Sequence, residues 1–329
     1  MSVRSLVAAA FGLIVFSTTA VAADPVKIAR DFADGFAVPR FQAVASAAHA
    51  QADAWTKFCA GGPRPDTGAL KKSFNDLADA WAKVEFVRIG PAAVALRVER
   101  FNWWLDRTGA TGKALSAMLA APDALAPDKL ASGSVAGQGL PVIERLLYDK
   151  DPIDAPRCAV GVAVARGQAA IADAIVTDWT APDGAAAALA ANTRWNMAFA
   201  DGKEAASVML TDLAAGLEGL KDLKVAMLFH DETNANAPKL AEGVRSARTE
   251  RDIALNLAAI REGLSRFLAD APKADRAKLD AVFDAAAHSL KAGDARAKLD
   301  AFTALSQTAI AVLPEATGLT LGFNNLDGD

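Results

Sequence analysis

The chain has 329 residues, with 35 basic against 39 acidic side chains, three histidines, two cysteines and a single tyrosine. A net charge of −4 argues against a nucleic-acid binder, which normally presents a basic face. The wealth of alanine, leucine and charged residues predicts helices rather than strands.

Arg4 precedes an apolar run from Leu6 to Phe16 and small residues ending in Ala20-Val21-Ala22-Ala23, the pattern of a secretory signal peptide over residues 1–23. The run is too short to span a bilayer, and no cysteine follows it to carry a lipid. Export to the periplasm or cell envelope is therefore expected, with no transmembrane segment after cleavage. About 300 residues remain, more than one core usually serves, so two domains are expected. Pro182-Asp183-Gly184 is the natural boundary, giving 24–181 and 182–329. In an oxidising compartment Cys59 and Cys158 are expected to pair, with two buried free thiols as the alternative.

In chain order, Asp31 to Arg40 is predicted as a lead-in broken by Gly35 and Pro39, followed by a helix from Pro39 to Ala60. Phe41, Ala45, Ala48, Ala52, Trp55 and Cys59 share one face of it, and Gly61-Gly62-Pro63 stops it. Asp66 is expected to cap a second helix with the stripe Leu70, Phe74, Leu77, Trp81 and Val84. Gly90 can close that helix in a left-handed conformation and Pro91 open the next, on which Arg97, Arg100 and Arg107 fall in register. That stripe reads as a solvated or ion-paired face, with an anion site as the alternative. Thr111 to Ala121 is a short helix, Asp123 to Gly139 a loose segment, and Pro141 to Tyr148 a helix with Glu144 in its first turn. A long alanine-rich helix runs from Cys158 to Trp179. In the second half, helices are expected over 185–200, 204–223 and onward through Ile253 to Phe267. Asp231 to Pro238 is a loop, Pro272 and Asp294 start the last two helices, and a polar tail begins at Gly318.

The stretch Gly139-Leu140-Pro141-Val142-Ile143-Glu144 resembles the signature of the imelysin-like family, Gly-x-His-x-x-Glu, with Pro141 where the histidine stands. Two further segments resemble family features: Trp81-x-x-Val84 through Arg88-x-Gly90-Pro91 to Trp104-x-Asp106-Arg107, and Glu242-x-x-Arg245-Ser246, which has Val244 in the place of a tryptophan. The resemblance implies an all-α fold of two packed helical bundles. It also implies a candidate groove formed by Gly139, Pro141, Glu144, Arg88, Gly90, Pro91, Asp106, Arg107, Glu242, Arg245 and Ser246.

The histidine and glutamate of the family motif lie three apart on one helix face and can converge on a metal ion. Proline supplies no ligand atom, so Glu144 is the single metal candidate here. Three roles are open to it: metal ligand, helix N-terminal carboxylate, or one end of a buried ion pair with an arginine. No His-Glu-x-x-His, phosphate-loop or Gly-x-Ser-x-Gly pattern occurs, and His49, His230 and His288 have no second ligand at helical spacing. The resemblance thus implies a non-catalytic envelope protein associated with iron acquisition, which binds an envelope partner or a small ligand. No cofactor is expected, with iron or another divalent metal as the alternative. A metallopeptidase and a ligand-free scaffold are the alternatives.

Overall fold

The computed structural model describes residues 24–60, 66–104, 106–228 and 237–322. The expected signal peptide, the Gly61-Gly62-Pro63 stop, His230, most of the 231–238 loop and the end of the tail lie outside the described residues.

Fourteen α-helices account for most of the described chain. The first eight are α1 (Pro25–Phe32), α2 (Val38–Cys59), α3 (Gly68–Ala82), α4 (Arg97–Phe101), α5 (Ala110–Ala120), α6 (Pro127–Ser132), α7 (Leu140–Tyr148) and α8 (Ala155–Thr180). After them come α9 (Ala185–Ala191), α10 (Gly202–Gly219), α11 (Ala237–Leu240), α12 (Thr249–Phe267), α13 (Lys273–Ala292) and α14 (Ala295–Thr317). Among the described residues the one β-type pairing is an isolated bridge between Trp195 and Phe199.

The apolar stripes dictate the packing. Phe41, Val44, Ala48 and Trp55 of α2 are buried against α8 and α3, while α10, α12, α13 and α14 pack together in the second half. Helix α1 crosses over: Ile28 and Phe32 are buried, and the helix lies on α10 and α12. One continuous apolar core therefore runs through both halves, and α3 meets α12 across them. The stretch 155–191 is long and apolar enough to cross a membrane, but half of its most apolar window is buried in this core. A Cys59–Cys158 disulfide, Cα atoms 5.7 Å apart, ties the end of α2 to the start of α8.

Several local expectations are corrected. Gly35 and Pro39 do not break the chain: a π-helical turn, Ala33–Ala37, joins α1 to α2, and Pro39, with no N–H, leaves the Gly35 carbonyl four residues back without a helical donor. Arg266 donates to the Gly35 carbonyl at 2.7 Å and holds that turn. Thr67, not Asp66, occupies the N-cap of α3. No helix spans 91–107, because Ala95 and Leu96 are left-handed (φ 53° and 55°) and leave only the short α4. The 123–139 segment holds α6 and two 3₁₀ turns, and α9 stops at left-handed Asn192 rather than running to residue 200. The tail is anchored at its start, where Leu319 is buried and the Gly322 N–H donates to Thr211.

Candidate functional site

The start of α7 sits at the seam between the halves. Gly139 is required there because a Cβ on it would come within 2.4 Å of the Phe101 carbonyl oxygen at the end of α4. That contact brings Pro141 and Glu144 to a cavity of about 100 Å³. From the first half it is lined by Trp81, Glu85, Asn102, Trp103, Trp104, Asp106 and Arg145, and from the second by Leu240, Glu242, Arg245, Arg248 and Asp252. A larger groove of about 740 Å³ shares Trp81, Glu85, Asn102, Trp103, Trp104 and Glu242 with it, and continues past Arg88 and Glu99.

Glu144 is 7% exposed, and its Oε1 accepts two hydrogen bonds from Ser246, at 3.0 Å from the amide and 2.6 Å from the hydroxyl. The expected arginine partner is thus replaced by a serine. The nearby arginines are drawn elsewhere: Arg245 Nε lies 3.1 Å from Asp149, and Arg145 lies 3.7 Å from the same carboxylate. Asp106 caps α5, accepting from Ala110 N at 2.7 Å and Thr111 N at 2.9 Å. Burial disfavours its charge, but the N–H groups of Thr111 and Ala110 hold its pKa below the ordinary value.

The remaining predicted residues divide. Arg88 is exposed, pairs with Glu99 at 3.3 Å and borders the larger groove. Gly90, left-handed at φ 68° as expected, and Pro91 are buried beside Trp179 and line neither cavity. Arg107 is exposed outside both. Arg97 and Arg100 form no continuous face: Arg97 pairs with Asp178 at 2.6 Å and Arg100 donates to Gln138 at 2.8 Å. His49 is exposed against Asp173.

Sequence reasoning missed the polar interior of the site. Arg248 is buried and donates to Asn75 at 2.8 Å, Asp79 at 2.5 Å and Asp252 at 2.6 Å. Lys224 is buried among Glu85, Glu242 and Asn256. Burial and then Glu85 push the Glu242 carboxyl above its ordinary value, against the pull of Lys224 and Asn102. Burial and then Glu242 push Asp252 up to about 7. The available signal was the placement of single polar residues on otherwise apolar stripes: Lys224 after Leu217 and Leu220, and Asn256 between Ile253 and Ile260.

Trp81 and Trp103 line the cavity, and their Nε1 donors are buried with no partner in the protein, as are those of Trp55 and Trp179 away from it. Buried N–H groups are nearly always paired, so the cavity presents unmet hydrogen-bond donors. A resident metal does not fit the donor set. Pro141 stands where the motif has histidine, Glu144 Oε1 is committed to Ser246, and no group of three or more His, Cys, Asp and Glu among the described residues is placed to hold an ion.

The sequence pattern of the imelysin (peptidase M75) family matches residues 37–319. Among solved structures, an imelysin-like protein from Psychrobacter arcticum 273-4 superposes with a TM-score of 0.76, covering 92% of this chain and 99% of its own at 18% identity. A protein from Parabacteroides distasonis ATCC 8503, assigned as an iron-regulated protein A precursor, gives 0.73, with 89% and 95% covered at 15% identity. At these identities the likeness is one of fold. No curated protein sequence matches the chain.

Proposed function

This chain belongs to the imelysin family, and from that premise we propose that it is an exported cell-envelope binding protein associated with iron acquisition. Its ligand is a small molecule rich in hydrogen-bond acceptors, held at the seam between the first and second halves of the chain. One observation carries the reading: Trp81 and Trp103 line the cavity with buried indole N–H groups that nothing in the protein accepts. A ligand acceptor placed there would remove the cost of leaving them unpaired. The Cys59–Cys158 bridge favours an oxidising compartment, and the Parabacteroides relative's description as an iron-regulated precursor favours export and the iron link.

The test is native mass spectrometry of protein isolated from the envelope fraction of iron-limited cells. A non-covalent small molecule is expected on the parent, with retention weakened about tenfold in Trp103→Phe, which keeps the ring and removes the donor. An unliganded parent would sink the reading. So would chelator-sensitive cleavage of an added protein substrate that disappears in Glu144→Ala.

A further inference from the structure

Beside the cavity, three oxygen donors from three separate elements converge on one nitrogen. Lys224 lies in a π-helical turn, Leu220–Val225, that directly continues α10. Its Nζ donates to Glu85, lies 2.6 Å from Glu242 Oε2 and donates to Asn256 Oδ1 at 2.7 Å. Of the three N–H donors of the ammonium, two are placed in hydrogen bonds to Glu85 and Asn256, and Glu242 Oε2 faces the charge as an ion pair without a hydrogen bond of its own.

The oxygens are fixed by more than the lysine. Asn102 Nδ2 donates to Glu242 Oε1 at 2.5 Å and reaches Glu85 Oε2 at 3.5 Å. Asn256 Nδ2 donates to Glu85 Oε1 at 2.9 Å and to the Ala82 carbonyl. Two carboxylates and an amide oxygen, oriented by neighbouring amides, form the donor set that a hard divalent cation selects. The point they enclose is taken by a nitrogen covalently tied to the chain. Burial lowers the pKa of that ammonium, yet Glu242 and Glu85 outweigh it and raise the value above that of an ordinary lysine.

We propose that Lys224 is the resident cation of this site: its ammonium neutralises Glu85 and Glu242 from within the chain and closes to metal a cage that, without it, accepts one hard divalent ion. The physical ground is charge balance. Two carboxylates this close and this poorly solvated require a positive partner, and a tethered ammonium is at far higher local concentration than any free ion. The consequence is a charge network at the seam that keeps its geometry whatever the metal supply. This inference does not rest on the identity of the cavity ligand, and its test needs none.

Full-length parent, Lys224→Ala and Lys224→Met, each freed of metal by chelator, would be titrated with Mn²⁺, followed by the electron paramagnetic resonance of the free ion and by thermal melting. The parent is expected to bind no Mn²⁺ at this site and to melt unchanged. Lys224→Ala is expected to melt lower without metal, to bind about one equivalent, and to regain melting temperature on binding. Lys224→Met retains most of the stem's volume and serves the same readout should the alanine variant be recovered unfolded. Adding Glu242→Gln to either variant should weaken binding at least about tenfold. The proposal is overturned if the parent binds one Mn²⁺ that Glu85→Gln removes, or if both Lys224 variants bind none, whatever their melting temperatures. It is equally overturned if both stay unfolded in excess Mn²⁺, or if binding is indifferent to Glu242→Gln.

Discussion

Glu144 and Ser246, 102 residues apart, are joined by two hydrogen bonds to one carboxylate oxygen, one from the serine amide and one from its hydroxyl. The pair stitches the start of α7 to the turn that precedes α12. Since the Ser246 hydroxyl oxygen also lies 3.2 Å from the Gly243 carbonyl, Glu144 shapes the wall that carries Glu242 and Arg245.

That geometry predicts moderate, coupled losses. Ser246→Ala removes one charge-assisted bond and should cost about 1.5 to 3 kcal/mol, and Glu144→Gln, which keeps the shape, about the same. Because both changes affect the same contact, the double variant should fall short of the sum by about 1 kcal/mol or more in urea unfolding. Strict additivity would mean that the contact does not form in solution.

The disulfide gives a second prediction. It closes a separation of 99 residues between α2 and α8, and a loop of that length restricts the unfolded chain strongly. Replacing both Cys59 and Cys158 by alanine should lower the unfolding free energy by about 2 to 5 kcal/mol. Thiol labelling of the denatured, unreduced parent should find no free thiol, and labelling of two would refute the bridge.

Much of the helical layout was legible from apolar periodicity. The stripes of α2, α3, α10 and α12 lie on buried faces, and Asp294 caps α14 by accepting from Ala297 N. Illegible were events decided by distant parts of the chain. The left-handed Ala95 and Leu96 end a helix that periodicity continues, and no local residue type marks them. Glu144 was identifiable from its motif, but its partner was not, because Asp149 draws off the arginines on which a buried ion pair would depend. Glu85 meets Lys224 across 139 positions, a pairing no single sequence displays.

Close approach at Gly139 gives a third prediction. Its backbone lies against the Phe101 and Arg100 carbonyls, with 2.4 Å and 3.0 Å left for a Cβ, and neither carbonyl can move without displacing α4. Gly139→Ala should cost about 3 kcal/mol. Gly167→Ala within α8 is the control, since its Cβ would meet only Leu130 Cδ2 at 3.5 Å and alanine favours the helix. It should gain about 0.5 to 1 kcal/mol by thermal or urea unfolding.

The last prediction concerns pH. Asp252 is buried at the cavity wall, faces Glu242 as well as Arg248 and Lys224, and has its carboxyl pushed up to about 7, by burial first and Glu242 second. A carboxyl whose folded value exceeds its unfolded one binds its proton more tightly in the native state. Its contribution to stability is complete below the ordinary carboxylate range and is lost as pH rises through about 7. Asp79 behaves oppositely: although burial opposes its charge, Arg251 and Arg248 hold its pKa below the ordinary value, so its contribution is lost only on acidification below that range. The two windows do not overlap, but Asp212, also pushed up to about 7 by burial, shares that of Asp252, so the Asp252 effect is read as the difference between parent and Asp252→Asn between about pH 4 and pH 7. Over that interval the parent should lose unfolding free energy at no more than about 1.4 kcal/mol per pH unit from this group. Asp252→Asn, which keeps the acceptor for Arg248 and removes the proton, should show a flatter profile. Parallel profiles for parent and variant would show that Asp252 titrates normally and that its burial against Glu242 is relieved in solution.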